Sequence, residues 1–252
     1  MTSSQPYTTV LFDLDHTLLD SDASEALAFE SALRGIGIDE PGVHFGDYDR
    51  INRSLWAAVE RSEVLPARVR TLRFEQLLAA IGHDADAVEL ADEFAAGLGR
   101  HGDLYPGALE MLAALAENAS LALVTNGLSD VQRARVERLD IAQFFDAVII
   151  SGEVGVSKPS AAIFDIAFDQ LGSPSRADAL MVGDSLTSDI QGGVNSGIAT
   201  CWYNPSRRDA AAGSRFDHEI ESLGHLIDVV RTRRFGGVAP AEANADRHHR
   251  NE

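Results

Sequence analysis

The fold is decided by the stretch Thr8-Thr9-Val10-Leu11-Phe12-Asp13-Leu14-Asp15-His16-Thr17. Its first half is apolar and β-branched, as in a buried strand. Asp13 and Asp15 then point to the same side if the chain stays extended, at the strand end where open α/β sheets bind ligands. Two carboxylates so close repel each other unless a cation or a proton lies between them. The pair indicates a metal site, an acid–base pair or both; the simpler alternative is a strand followed by an acidic turn.

Composition limits the class of protein and its partners. The chain has 252 residues, 45% of them hydrophobic, enough for one large domain or two small ones. Its formal net charge of −18 disfavours nucleic-acid polymers and anionic membranes as partners, but not a small phosphorylated metabolite held by a local cation. A single cysteine, Cys201, excludes an intrachain disulfide. Without a signal-peptide pattern or an apolar run of membrane-spanning length, we expect a cytoplasmic protein, monomeric or homodimeric.

Alternating apolar runs and helical patterns indicate the fold class. Five nearly continuous apolar runs predict parallel strands buried on both faces: Thr8–Phe12, Leu121–Val124, Ala147–Ile150, Ala179–Val182 and Ile198–Trp202. Helical patterns separate the later runs: Ala108–Ala116, Val131–Leu139, Ala161–Leu171 and Ile190–Asn195. The alternation predicts an α/β fold with a doubly wound parallel sheet.

A purely helical pattern interrupts this alternation at residues 21–103. Asp22 and Glu25 have the spacing of a capping box, and Gly82 ends one of the later helices. We expect a helical cap domain over residues 21–103, inserted into a core formed by residues 1–20 and 104–235. Residues 236–252 have no apolar periodicity and predict a disordered tail.

Polar groups follow three more of the predicted strands. Thr125 and Asn126 begin a strand-to-helix turn that suits phosphate oxygens. Lys158 is the only lysine of the chain and is placed to reach the Asp13 pocket, with an ordinary surface lysine as the alternative. Asp184 ends the fourth run, and Asp189 opens the next helix, where an N-cap is the simpler interpretation. This set of oxygen ligands predicts Mg²⁺.

Together, Asp13-Leu14-Asp15-His16-Thr17, Thr125-Asn126-Gly127, Lys158-Pro159 and Gly183-Asp184 with Asp189 resemble the haloacid dehalogenase superfamily of phosphatases. The resemblance spans roughly residues 7–230, and the helical insert resembles that superfamily's C1 cap. Its dehalogenase branch lacks the second aspartate, so Asp15 favours phosphoryl transfer. Several stretches, among them residues 12–28 and 182–205, are similar to the bacterial pyrimidine 5′-nucleotidase branch.

The resemblance implies a mechanism. Asp13 would attack phosphorus and form an aspartyl-phosphate, and Asp15 would act as general acid and then general base. Mg²⁺ would be held by Asp13, the backbone carbonyl of Asp15, Asp184 and Asp189. Lys158, Thr125 and Asn126 would bind the phosphoryl oxygens.

Substrate choice is expected to lie in the cap. Six arginines cluster there, and we expect most on a solvated face and one or two in the pocket: Arg50, Arg53, Arg61, Arg68, Arg70 and Arg73. Trp56 and Phe74 are expected in the cap core, with stacking on a base as the alternative for both. His16 is expected to point away from the aspartate pocket, with lining of its substrate side as the alternative.

Rival hypotheses keep the same fold. A phosphatase for N-acylneuraminate-9-phosphate, phosphoglycolate or a sugar phosphate shares the core motifs, and a phosphomutase would return the phosphoryl group to a sugar. A non-catalytic binding protein would usually lack one of the motif residues, and this chain has them all. A receiver-like protein is disfavoured by the large helical insert and the Asp13–Asp15 pair.

Overall fold

The structure, a computed structural model, describes residues 6–211 and 213–233, so the predicted tail at 236–252 lies outside the described residues. Six strands form one parallel sheet in the order β3-β2-β1-β4-β5-β6. They are β1 (Thr9–Phe12), β2 (Ser120–Thr125), β3 (Ala147–Ile150), β4 (Ala179–Gly183), β5 (Ala199–Tyr203) and β6 (His218–Ile220). This confirms the predicted α/β fold with a parallel, doubly wound sheet.

Helices cover both faces of the sheet. They are α5 (Ala108–Ala116), α6 (Ser129–Arg138), α7 (Ser151–Val154), α8 (Ala161–Gln170), α9 (Gln191–Asn195) and α10 (Leu226–Thr232). Val10 of β1 packs in one apolar cluster with Met111 of α5 and Val229 of α10. Leu11, the next residue, packs in the other cluster with Phe164 of α8. Adjacent side chains of β1 thus enter opposite cores, which explains its unbroken apolar run.

Four helices lie between β1 and α5 and form the four-helix layer: α1 (Ser21–Gly35), α2 (Phe45–Glu60), α3 (Pro66–Ile81) and α4 (Ala87–Arg100). Their common core is aromatic, with ring centroids 4.8–5.9 Å apart, and is built from Phe29, Tyr48, Phe74 and Phe94. Gly82 ends α3 in the left-handed region, as predicted. No helix in the described ranges is long and apolar enough to cross a membrane.

The predicted capping box at the start of α1 is wrong. Asp20 occupies the N-cap, and no side chain caps the helix. Glu25 is turned inward instead, where its carboxylate accepts hydrogen bonds from Tyr48 Oη (3.1 Å) and Asn52 Nδ2 (2.9 Å) of α2. These tertiary hydrogen bonds replace the local cap, because a partly buried carboxylate needs hydrogen-bond donors.

Candidate functional site

Three aspartates converge at the carboxyl ends of β1 and β4. Asp13 follows β1, Asp184 follows β4, and Asp189 lies in a π-helical turn, Leu186–Ile190. One carboxylate oxygen of each lies within 4.8 Å of the other two, a spacing able to hold a metal ion. Gly183 makes room for this arrangement, because a Cβ there would lie 2.2 Å from Asp189 Oδ2.

Burial and mutual repulsion raise the pKa values of two of these aspartates. Burial raises the pKa of Asp13 well above its ordinary value, and the charges of Asp189 and Asp15 add to this. Burial, together with the charge of Asp189, raises the pKa of Asp184 to about 6. A divalent cation would relieve both effects, and an all-oxygen donor set suits Mg²⁺.

Lys158 provides the ammonium at this cluster. Its Nζ lies 2.6 Å from Asp13 Oδ1 and 2.7 Å from Asp189 Oδ1, and the residue is 1% exposed. Burial alone would lower the pKa of Lys158, but the two carboxylates raise it above its ordinary value. The lysine is therefore charged, as the sequence pattern predicts, and it bridges two of the acidic groups.

Asn126 holds the backbone of Lys158 in place. Its Oδ1 accepts from Lys158 N (2.9 Å), and its Nδ2 donates to Lys158 O (3.0 Å) and Ser188 Oγ (3.2 Å). Thr125 is fully buried, and its hydroxyl accepts a hydrogen bond from Gln132 Nε2 (2.7 Å). The predicted phosphate-binding role of both side chains stays a prediction. In the structure Asn126 holds Lys158 and Ser188 in place, and Thr125 contacts Gln132.

Asp15 lies in a separate network of donors. Its carboxylate accepts from Arg135 Nη1 (2.5 Å), Ser21 Oγ (2.5 Å) and Gln132 Nε2 (2.6 Å). Burial would raise the pKa of Asp15, but Arg135 and the other donors outweigh it and lower the pKa. The side chain lies outside the group of three carboxylates described above. A metal contact through its backbone carbonyl stays a prediction.

Arg135 and Gln132 were not singled out in the sequence. They lie three residues apart on α6, so they share a helix face. Arg135 also donates to Ser24 Oγ of α1 (2.9 Å) and Leu98 O of α4 (3.2 Å). The arginine thus joins Asp15 to the four-helix layer, a tertiary link for which the sequence offers no local signal.

The site opens into a cavity of about 650 Å³ between the sheet edge and the four-helix layer. Such a volume is typical of pockets for small metabolites, roughly 300–1,000 Å³. One face of α2 lines it with Asp49, Asn52, Arg53, Trp56 and Glu60. Trp56 therefore lines the cavity, whereas Phe74 is buried in the helical core.

The remaining predicted residues divide between cavity and surface. His16 adopts a left-handed backbone (φ 59°) and lines the cavity, so the alternative given for it holds. Of the six arginines, Arg53 and Arg73 line the cavity. Others form surface ion pairs, namely Arg50 with Asp47, Arg61 with Glu63, and Arg70 with Asp92 and Asp130.

The chain is similar to known hydrolases in both sequence and structure. Residues 7–197 match the haloacid dehalogenase-like hydrolase family. The pyrimidine 5′-nucleotidase YjjG of Escherichia coli is 34% identical over 221 residues, covering 88% of this chain and 96% of YjjG. PynA of Streptococcus pneumoniae, also a pyrimidine 5′-nucleotidase, is 34% identical over 225 residues, covering 89% and 95%. A magnesium-bound crystal structure of the Bacillus subtilis HAD-hydrolase YfnB superposes with a TM-score of 0.82 at 32% identity, covering 90% and 99%.

Proposed function

The chain belongs to the haloacid dehalogenase-like hydrolases, and on that premise we propose that it hydrolyses pyrimidine nucleoside monophosphates to nucleoside and phosphate, with Mg²⁺ as its cofactor. One observation carries the proposal: Asp13, Lys158 and Asp189 form a buried cluster of charges that opens into a cavity of metabolite size. The activities named for YjjG and PynA support the choice of substrate class.

Asp13 is the proposed nucleophile. Its carboxylate forms a bond to phosphorus while the bond to the ester oxygen breaks, which gives an aspartyl-phosphate. Asp15 donates a proton to the departing oxygen and later takes one from the water that hydrolyses the intermediate. Arg135 favours the ionised form of Asp15, which is the form that accepts the proton of the attacking water in the second step. Lys158, Thr125 and Asn126 orient the phosphoryl oxygens.

The proposed ligands of Mg²⁺ are Asp13, Asp184, Asp189 and the backbone carbonyl of Asp15. The first three fit because their oxygens converge within 4.8 Å and burial raises the pKa of both Asp13 and Asp184. When bound, the ion offsets the charge of the phosphoryl group and polarises its oxygens.

We also propose that α1–α4 act as a cap. Their cavity-facing side chains on α2, rather than the phosphate site, would contact the rest of the substrate. The described residues 6–20, 104–211 and 213–233 would then belong to the core, and the predicted division at 1–20, 21–103 and 104–235 stays a prediction. Monomer or homodimer, and a cytoplasmic location, stay predictions.

Phosphate release tests the function. With MgCl₂ present, the enzyme should hydrolyse dUMP and dTMP faster than AMP, 2-deoxyribose 5-phosphate, N-acetylneuraminate 9-phosphate or phosphoglycolate. Asp13→Asn should remove turnover with every compound while the circular dichroism spectrum stays the same. A preference for a non-nucleotide phosphate would overturn the substrate assignment, and activity in Asp13→Asn would overturn the mechanism.

A further inference from the structure

Arg73 is a buried cation with unused hydrogen-bond donors. It lies on α3, is 2% exposed, and packs its guanidinium 4.5 Å from the centre of the Phe94 ring. Its Nη1 lies 3.4 Å from Asn52 Oδ1, a long contact. Within residues 6–211 and 213–233, neither Nε nor Nη2 has a hydrogen-bond partner. Buried donors without acceptors cost free energy, so they call for a partner that the protein does not supply.

The cavity is the side from which a ligand can approach Arg73, although Nε and Nη2 are themselves covered in this structure, so the guanidinium has to turn toward the ligand. Arg73 lines the same cavity as Asp13 and Lys158, and Asn52 and Trp56 of α2 line it too. Phe94 covers one face of the guanidinium, so a ligand has to meet its edge, where the N–H groups lie. A substrate with its phosphate at Lys158 would extend toward this helical side of the cavity.

The charged side chains around the cavity indicate which kind of hydrogen-bond acceptor on the substrate fits there. The helical side of the cavity carries two arginines, Arg53 and Arg73, against four acidic residues: Asp22, Glu25, Asp49 and Glu60. A second anionic group on the substrate would meet this excess of negative charge, whereas a neutral carbonyl oxygen would not. Trp56 adds a flat aromatic surface suited to a planar ring.

We propose that Arg73 donates its free N–H groups to a ring carbonyl oxygen of the pyrimidine base, an inference that rests on the proposed function. Uracil, thymine and cytosine all carry a carbonyl at C2, and adenine carries none. Arg73 is thereby a specificity-determining residue. A substrate without that oxygen leaves the buried N–H groups of Arg73 without an acceptor, which is an effective basis for discrimination between substrates.

The test compares Arg73→Met with wild type. Methionine keeps much of the apolar stem and removes every donor. For R73M we expect kcat/KM to fall about 10- to 100-fold with dUMP and dTMP. With AMP and 2-deoxyribose 5-phosphate it should stay unchanged. Arg50→Met is the matched control, because Arg50 is an exposed α2 residue paired with Asp47 (3.0 Å), and all four substrates should be unaffected.

Each other outcome overturns the inference. An unchanged kcat/KM with dUMP would mean that water satisfies Arg73, and an equal loss with all four substrates would mean a structural role. With phosphoglycolate added as a fifth substrate, a loss confined to it would identify a carboxylate as the acceptor and overturn the inference. If R73M folds poorly, Arg73→Lys in an Asp13→Asn background replaces it, and calorimetry should show weaker dUMP binding but unchanged binding of 2-deoxyribose 5-phosphate. Wild-type preference across the same panel tests the proposed function separately.

Discussion

Replacing Lys158 with methionine probes the site's electrostatics most directly, because this ammonium is the cation shared by two buried carboxylates. Its Nζ lies 2.6 Å from Asp13 and 2.7 Å from Asp189, and all three residues are less than 8% exposed. Removing one partner of a buried ion pair costs about 3–5 kcal/mol, since the remaining charge stays buried without compensation. We expect Lys158→Met to lower the free energy of unfolding by that amount in EDTA at neutral pH.

A second variant separates charge from packing. Lys158→Met with Asp189→Asn removes one of the two stranded carboxylates, so the double variant should regain at least about 1 kcal/mol over the single one. Arg207→Met is the surface control, because its pair with Glu221 (2.7 Å) is exposed and should be worth less than about 1 kcal/mol. Urea unfolding followed by circular dichroism measures all four proteins.

The reasoning fails if Lys158→Met unfolds within about 1 kcal/mol of wild type, or if the double variant is no more stable than the single one. Acidification gives a further check on the sign. Burial raises the pKa of Asp13 above its unfolded value, so the cost of its charge is present at high pH, begins to fall once the pH drops below the folded pKa, and is gone below the unfolded pKa. The deficit of Lys158→Met should therefore shrink on acidification.

Three further predictions concern other parts of the molecule. Mg²⁺ should raise the Tm of the wild type by relieving carboxylate repulsion, and Asp184→Asn should lose most of this rise in thermal unfolding. Arg135→Met should lower kcat about 100-fold through misplacement of Asp15, with Arg135→Lys retaining more activity in the phosphate assay. Burial lowers the pKa of His218, so on acidification the unfolded chain takes up the imidazole proton at a higher pH than the folded chain does. The free energy of unfolding, measured by urea titration, should therefore fall as pH drops below about 6.5, and it should fall less in His218→Gln.

Regular elements with strong apolar patterns were predictable almost to the residue. Strand Ala147–Ile150 has its predicted bounds, because a short unbroken apolar run fits a strand buried on both faces. Helix Ala108–Ala116 also has its predicted bounds, because its buried residues recur at the three- and four-residue spacing of a helix. β6 (His218–Ile220) was missed, since three residues with two partly exposed polar side chains give no such pattern. The π-helical turn Leu186–Ile190 was also missed, and the helix predicted from Ile190 begins at Gln191.

In the site, the contacts set by the sheet could be predicted from the sequence, and the contacts set by tertiary packing could not. The convergence of Asp13, Lys158 and Asp189 could be predicted, because parallel strands present their carboxyl ends at one edge. The partner of Asp15 could not, since Arg135 lies 120 residues away and is chosen by tertiary packing. Arg70 and Arg73 show the same limit: they are one helical turn apart, yet one pairs with Asp92 on the surface and the other is buried at the cavity.

The location of the buried charges ties these observations together. In the part of the chain that the structure describes, five charged residues are less than 8% exposed, and every one of them lines the cavity: Asp13, Arg73, Arg135, Lys158 and Asp189. Buried charges contribute little net stability compared with apolar residues of the same volume, so packing alone does not explain them. Three cations against two carboxylates also give this set a positive balance inside a chain of net charge −18. The whole cavity lining nevertheless carries eight acidic side chains against five lysine and arginine side chains, so a phosphate ester depends on the buried cations beside it, above all Lys158, and not on the overall charge of the cavity.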